Sequence, residues 1–267
     1  YVFQLYFDFS GYSDMAIGIS RCFSIKLPIN FNSPYKELSV TDFWRNWHIT
    51  LTRFIKNYIF PFIAMPITRN ISKIFKSKKV VGRVSTFFST IIIFTIIGFW
   101  HGAGWTFIIF GVIHGVIVAL ENIYLKSSGN KPNIINMNFL RRLYLAIILT
   151  ITFVIFRAPD LSTAFHFLRN MFIFDFYSIA IDFNLIKWTF LFFIGLLVVY
   201  LLPNLYQILE KYEGGLMKED GIKLKPLTHT IFTWNPNLFW LTYVSLSFLI
   251  SLTFISKGVV EFIYFDF

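Results

Sequence analysis

The sequence predicts an all-α protein that crosses a membrane several times. Of its 267 residues, 56% are hydrophobic and 14% are charged, whereas a soluble domain carries about 25% charged residues. The mean hydropathy is +0.63. Apolar runs alternate with polar, basic connections, which is the pattern of a chain of membrane-spanning helices.

The first helix is predicted over residues 1–25, an apolar run that contains Asp8 and Asp14. Two aspartates inside a membrane helix are costly, and we expect them to be paired with other side chains. Pro28 and Pro34 then indicate a loop. Because the chain starts inside an apolar segment, we interpret it as an N-terminally truncated form of one membrane-embedded region, residues 1–267.

The second helix is predicted over residues 42–57, with Ser39 or Thr41 as its N-cap and Asp42 in its first turn. The segment mixes Trp, Arg, Asn, His, Thr and Lys, so it is too polar for a span that faces lipid. We predict a re-entrant or interfacial helix that is buried in protein. An apolar stretch, 58–68, follows and is interrupted by two prolines.

Further helices are predicted in the second half of the chain. The apolar run from residue 84 to residue 125 is too long for one span of about 20 residues. We therefore predict two helices that meet near His101, separated by Gly102-Ala103-Gly104. The remaining predicted helices cover 143–156, 161–173 (short and amphipathic), 185–202 and 238–255.

Three basic connections, near residues 69–83, 126–142 and 204–236, separate the predicted helices. Lys and Arg concentrate in the cytoplasmic loops of membrane proteins, so we predict that these three loops are cytoplasmic. The connection 157–184, with Asp175 and Asp182, and the turn at His101 would then lie toward the outer side or within the bilayer.

Charge and motifs exclude several classes of protein. The net charge is +10, but the cations lie in loops between apolar runs, so we predict no binding of nucleic acid. The single cysteine, Cys22, excludes an internal disulfide. There is no HExxH, Walker A, GxSxG or GxGxxG motif, and we predict neither a metal site nor a bound cofactor.

Two histidines in apolar, tryptophan-rich surroundings are the strongest candidates for function. His48 ends the run Phe43-Trp44-Arg45-Asn46-Trp47-His48, and His101 lies in Gly98-Phe99-Trp100-His101-Gly102. An imidazole at membrane depth is costly and is a candidate functional group. Since histidine exchanges a proton near neutral pH, the pair indicates proton-transfer chemistry.

Structural interpretations of these residues stay open. His101 can be a packing histidine that is hydrogen-bonded to a neighbour, and the His48 segment can be an interfacial helix anchored by Trp and Arg. The pairs Gly98/Gly102 and Gly111/Gly115, each four residues apart, allow close helix packing. For His166 and His229 we expect structural roles. For His114 we predict no metal site shared with His101, because the two would lie on separate faces of an unbroken helix.

Several motifs resemble the membrane-bound O-acyltransferase (MBOAT) family. The matching stretches are 6–18 (Tyr-Phe-Asp-Phe-Ser-Gly…), 28–35, 42–51 (Asp-Phe-Trp-Arg-Asn-Trp-His…), 98–102 (Gly-Phe-Trp-His-Gly) and 156–158. Their order is similar to that of the alginate O-acetyltransferase branch, with teichoic acid D-alanyl transferases as close relatives. The resemblance implies a helical membrane fold with a central channel and further spans before the first motif.

The resemblance also implies which residues form the site. His101 corresponds to the catalytic histidine of the family, and His48 to its second conserved position, where other branches have Asn or Asp. We predict both as catalytic. As substrate-binding or supporting residues we predict Trp44, Arg45, Trp47, Trp100 and Asp14.

The implied activity is transfer of an acyl group, with acetyl favoured, from a cytoplasmic thioester donor to a hydroxyl outside the membrane. The donor would be acetyl-CoA or an acyl-carrier protein. The acceptor would be a polysaccharide or an SGNH-type partner protein, and the location the cytoplasmic membrane of a bacterium. Alternatives are D-alanyl transfer to teichoic acid, a transporter or channel with a histidine-lined pathway, and a scaffold subunit.

Overall fold

The computed structural model describes residues 1–127, 135–173, 183–212 and 232–255. Every regular element within these ranges is a helix, which confirms the predicted all-α class. Four helices are long and apolar enough to cross a membrane: Lys78–His101, Trp105–Tyr124, Met137–Arg157 and Asn184–Leu201. A shorter apolar helix covers Leu238–Phe254.

The helices are named here in chain order. They are α1 (Val2–Cys22), α2 (Val40–Asn46), α3 (Ile49–Phe54), α4 (Phe60–Ile74), α5 (Lys78–His101), α6 (Trp105–Ser127), α7 (Ile135–Arg157), α8 (Leu161–Met171), α9 (Phe183–Leu201), α10 (Leu205–Ile208) and α11 (Leu238–Ile255). Short 3₁₀ turns cover Pro34–Lys36 and Glu210–Tyr212, and a π-helical turn covers Ile55–Ile59.

The contacts divide the chain into two units. The first comprises Tyr1–Phe3 with Ser33–Leu201, and the second comprises Gln4–Asn32 with the described residues after Leu201. The first unit contains α5, α6 and α7 with the short helices α2 and α3. In the second unit, Phe31 packs edge-on against Phe9, with ring centroids 5.0 Å apart.

Helices α5 and α6 pack so closely that their backbones touch. A Cβ atom at Gly98 would overlap the carbonyl oxygen of Phe107, and one at Gly111 would overlap that of Phe94. A Cβ at Gly115 would lie 2.9 Å from the Cα of Ile91, closer than side chains pack. The close helix packing predicted from the glycine pairs is therefore present between α5 and α6.

The single helix that we expected over residues 42–57 is divided in the structure. Helix α2 ends at Asn46 and α3 begins at Ile49. Between them, His48 has left-handed backbone angles, φ 45° and ψ 57°, which a continuous helix excludes. Of the two predicted N-caps, Ser39 is the one found in the structure, and its hydroxyl oxygen accepts the N–H of Asp42 at 3.0 Å.

The prolines in residues 58–68 do not interrupt the helix, contrary to our expectation. Pro66 lies inside α4, and Pro61 lies in its first turn, directly after the π-helical turn. A π-turn widens the helix by one residue, which relieves the clash of the proline ring with the preceding turn.

The predicted loop at 69–83 is also mainly helical. Helix α4 continues to Ile74 and α5 begins at Lys78, so only residues 75–77 connect them. Lys and Arg are good helix formers, which explains why a basic stretch extends two helices. Of the other two predicted loops, residues 135–142 belong to α7, and the segments 128–134 and 213–231 lie outside the described residues, as do Asp175, Asp182 and His229.

Helices α1, α8, α9 and α11 agree with the predicted bounds to within three residues, whereas α10 lies in the predicted loop 204–236, contrary to our expectation. The amphipathic helix is α8, and Asp160 is its N-cap, accepting the N–H of Thr163 at 2.7 Å. These hydrogen bonds to the carboxylate hold the pKa of Asp160 below its usual range.

Candidate active site

Helix α2 is attached to α6 through the carboxylate of Glu121. This side chain accepts the backbone N–H groups of Val40 at 3.1 Å and Thr41 at 2.7 Å, and the hydroxyl of Thr41 at 2.7 Å. The first N–H groups of a helix have no partner within the helix and carry partial positive charge. Glu121 satisfies them and fixes the start of α2, a role for which the sequence contains no local signal.

A second attachment lies one helical turn further along α2. The indole Nε1 of Trp44 donates to Nδ1 of His114 on α6 at 3.1 Å. Nε2 of His114 lies 3.0 Å from Oγ1 of Thr152 on α7. His114 is completely inaccessible to solvent. One imidazole therefore joins three helices.

The hydrogen bonds determine the tautomer of His114. Because an indole N–H can only donate, Nδ1 must be the unprotonated acceptor. The neutral ring then carries its proton on Nε2 and donates it to Thr152. The Thr152 hydroxyl in turn donates to the carbonyl oxygen of Ile148 at 2.8 Å. Each polar group in this buried chain has a partner.

His48 lies directly after α2, in the left-handed turn. Its carbonyl oxygen accepts the N–H of Thr52 at 3.1 Å, and the hydroxyl of Thr52 donates to the carbonyl of Trp44 at 3.3 Å. A non-glycine residue in this conformation costs on the order of 1 kcal/mol, and such strain concentrates at functional sites. Burial lowers the pKa of His48 to about 4, so its imidazole is neutral at pH 7.

His101 is the last residue of α5 and precedes the turn at Gly102. Its ring packs edge-on against Phe156 of α7, with centroids 5.2 Å apart and planes at 80°. His48 is close enough to interact with His101 electrostatically. The structure thus brings together the two histidines that the sequence separates by more than fifty residues.

Aromatic rings connect His101 to the buried network. The ring of Phe156 lies 4.9 Å from that of Phe110, and Phe110 lies 4.5 Å from the ring of His114. Trp44 packs edge-on against His114 at 5.1 Å. His101 and His114 are therefore connected by one continuous series of aromatic contacts.

The predicted supporting residues occupy different environments. Trp47 is buried and stacks on Phe43 with ring centroids 5.4 Å apart. Arg45 is exposed and forms an ion pair with Asp42 at 2.9 Å. Trp100 is 58% exposed and lies 4.9 Å from the ring of His101. Trp44 contacts the ring of His114, and Trp100 contacts the ring of His101.

Asp14 belongs to the second unit and is described there. Its carboxylate accepts a hydrogen bond from the hydroxyl of Tyr206, so it is paired, as we expected of an aspartate in this helix. Nearby, Asn30 donates to the hydroxyl of Ser13 at 3.3 Å. The second unit therefore places Asp14 in a local hydrogen-bonded cluster.

His114 was not among the predicted site residues, and the structure shows it buried in the hydrogen-bonded network. A histidine in an otherwise apolar helix indicates a buried polar partner. His166 is exposed and lies 3.0 Å from Asn170 on α8. Within the described residues, no group of three His, Cys, Asp or Glu side chains is arranged to hold a metal ion.

The sequence matches the family model "MBOAT, membrane-bound O-acyltransferase family" over residues 1–156. Among similar proteins is a peptidoglycan O-acetyltransferase of Helicobacter pylori, 45% identical over 64% of this chain and 30% of the relative. A probable alginate O-acetylase AlgI of Azotobacter vinelandii is 34% identical over 81% of this chain and 40% of the relative.

A teichoic acid D-alanyltransferase of Streptococcus thermophilus is 34% identical over 47% of this chain and 29% of the relative. The chain thus spans well under half the length of these curated relatives. The family match covers more than half of the chain, including both histidine motifs and the helices that surround them. The chain belongs to the membrane-bound O-acyltransferase family.

Proposed function

We propose that this protein is a membrane O-acyltransferase that moves an acetyl group from a cytoplasmic thioester to a hydroxyl of a polysaccharide outside the membrane. One observation carries the proposal: His48 and His101 interact at the end of α5, within a chain of an O-acyltransferase family. Two imidazoles at one place can supply both a base and a hydrogen-bond donor.

In the proposed reaction, the acceptor hydroxyl attacks the carbonyl carbon of the thioester. His101 accepts the hydroxyl proton as the new C–O bond forms. The C–S bond then breaks, and the leaving thiolate takes the proton from His101, which regenerates the neutral base. General-base catalysis of this kind contributes roughly 10²–10⁴-fold to the rate.

His48 is proposed to stabilise the oxygen of the thioester carbonyl. Because burial lowers its pKa to about 4, the ring is neutral at pH 7 and has one N–H to donate. Negative charge develops on this oxygen during the attack, where a fixed donor is most effective. The left-handed backbone fixes the direction in which the ring leaves the chain.

The supporting residues are proposed to act around this pair. Trp44 and Trp47 hold the His48 segment through their contacts with His114 and Phe43. Arg45 presents an exposed guanidinium to the negative groups of an acetyl-CoA or acyl-carrier donor. Trp100 is proposed to act through its contact with the ring of His101. Asp14, in the second unit, stays a predicted supporting residue with no structural argument for its role.

The acceptor class is proposed from the relatives. The names of two of them specify O-acetylation, of peptidoglycan and of alginate, which supports acetyl transfer to a glycan. We further propose a location in the cytoplasmic membrane of a bacterium and a relay through an SGNH-type partner protein. D-alanyl transfer to teichoic acid is the second candidate, because a D-alanyltransferase matches over 47% of the chain.

The test uses the full-length protein in its host. O-acetyl groups on surface glycans are measured by mass spectrometry in wild type, in His101→Ala and in His166→Ala, at matched protein levels in the membrane. We expect the esters to disappear in His101→Ala and to persist in His166→Ala, since His166 is exposed on α8. If acetyl esters persist but D-alanyl esters disappear, the second candidate replaces the first; if both persist, the protein is not an acyltransferase that uses His101.

A further inference from the structure

Two polar residues on one face of α6 bind helix α2. His114, Val118 and Glu121 are separated by four and three residues, so they lie in line along the helix. Val118 is buried between the two polar residues. His114 and Glu121 are about 10 Å apart along the axis, which is also the length of the seven-residue α2.

The two attachments hold α2 near both of its ends. Glu121 binds the backbone of Val40 and Thr41, and His114 binds the indole of Trp44. Beyond Trp44, the hydroxyl of Thr52 connects α3 back to the carbonyl of Trp44. His48 lies midway between Trp44 and Thr52 in the chain, so both sides of its turn are fixed.

We propose that His114 is a positioning residue: through Trp44 it holds the left-handed turn at His48 beside His101. This inference rests on the proposed acyltransferase function. His114 does not touch the reacting atoms and takes no part in proton transfer. Its role is to fix the orientation of one indole, and through it the backbone that presents His48.

Directional bonding distinguishes this role from ordinary packing. An apolar side chain of similar size would fill the space of His114 but would set no angle for the indole. Both ring nitrogens of His114 are instead in hydrogen bonds, and the chain continues through Thr152 to the backbone of α7. Buried polar networks with every member satisfied make a structure rigid and unique.

The left-handed turn explains why such rigidity is needed. A strained backbone conformation persists only where its surroundings determine it fully. Without the bond from Trp44 to His114, α2 keeps its attachment at Glu121 but can rotate about it. The turn at His48 then relaxes toward a more common conformation, and the imidazole moves away from His101.

The test compares His114→Asn with His114→Leu in the full-length protein. The two side chains have nearly the same shape, but only Asn keeps an acceptor for the indole N–H of Trp44. Initial rates of transfer of labelled acetyl from acetyl-CoA to the endogenous glycan are measured in host membranes over a range of acetyl-CoA concentrations. Wild type and His101→Ala serve as the references.

We expect His114→Leu to lower kcat by at least about tenfold with KM for acetyl-CoA nearly unchanged, and His114→Asn to keep most of the activity. A role in packing alone predicts the reverse order, because an apolar residue is better tolerated at a fully buried site. Equal activity of the two variants, or higher activity of His114→Leu, would overturn the proposal.

A second measurement does not depend on activity. Hydrogen–deuterium exchange of peptides that cover residues 44–52 is expected to be faster in His114→Leu than in wild type, and near wild type in His114→Asn. Unchanged exchange in His114→Leu overturns the positioning role. If instead the exchange changes as expected but wild type and His101→Ala transfer acetyl equally, the proposed function fails and the attachment of α2 stands.

Discussion

The indole Nε1 of Trp44 donates to Nδ1 of His114 over 3.1 Å, between two residues seventy positions apart. This bond requires an unprotonated Nδ1, so an imidazolium at residue 114 would lose it. The helix that precedes His48 is therefore held by a neutral histidine. The motif that ends in His48 therefore contains a residue that attaches the helix, Trp44, and the predicted catalytic residue, His48.

Substitutions can distinguish the contribution of the His48 backbone from that of its side chain. In His48→Gly the left-handed turn costs nothing, whereas in His48→Ala it costs on the order of 1 kcal/mol. We expect the glycine variant to be the more stable of the two by this amount and both to lose acyl transfer. Thermal unfolding of the purified variants, together with the glycan ester assay, checks this; activity in either variant would remove His48 from the mechanism.

Acidification is expected to destabilise the protein between about pH 6.5 and pH 4 through His48. Its pKa is 6.5 when unperturbed and is lowered to about 4 in the folded protein. In this window the unfolded state binds the proton and the folded state does not, so stability falls as the pH falls, and each pKa unit corresponds to about 1.4 kcal/mol.

Unfolding midpoints of wild type and His48→Gln across this range measure the effect of His48. The glutamine variant should lose less stability than wild type between pH 6.5 and pH 4. Parallel curves for the two proteins would mean that His48 does not contribute to the loss of stability on acidification.

Helix α5 contains a matched pair of glycines for testing its contact with α6. Gly98→Ala places a methyl group against the carbonyl of Phe107, so we expect a loss of about 1–3 kcal/mol. Gly82→Ala meets open space in the same helix and should be neutral or stabilising by up to about 1 kcal/mol. Thermal unfolding followed by size-exclusion chromatography gives both values, and equal midpoints would contradict the close packing.

Glu121 should contribute to both stability and transfer. Glu121→Ala leaves the first N–H groups of α2 without their partner, which costs on the order of 1–2 kcal/mol. Asp160→Ala removes a comparable cap from α8 at an exposed position. We expect both variants to have a lower unfolding midpoint, but only Glu121→Ala to have a lower rate of acyl transfer. Equal transfer rates in the two variants would mean that the attachment of α2 is not needed for transfer.

The long apolar helices were accessible to prediction, and the short helices of the site were not. Helices α5, α6, α9 and α11 follow from the length of their apolar runs, and the turn between α5 and α6 follows from its glycines. The division of α2 from α3 has no comparable local signal. His48 is not a residue type that marks a left-handed turn, and the helix before it is held by partners 70 or more residues away.

Candidate residues could likewise be named only where their chemistry is unusual for their surroundings. His48 and His101 stood out as titratable groups among apolar residues, and the structure brings them together. Glu121 ends an apolar run and reads from sequence as an ordinary helix-terminal acid. Its significance lies in three donors from α2, which only the tertiary structure places beside it.

The network from Trp44 through His114 to Thr152 is completed in stages during synthesis. Trp44 is made first, and Thr152 leaves the ribosome roughly ten seconds later at about 5–20 residues per second. Until α7 is inserted, the imidazole of His114 lacks one partner and the wall formed by Phe153 and Phe156 is missing. A nascent chain therefore has both predicted catalytic histidines before it has α7, and we expect them to be aligned only once α7 is in the membrane.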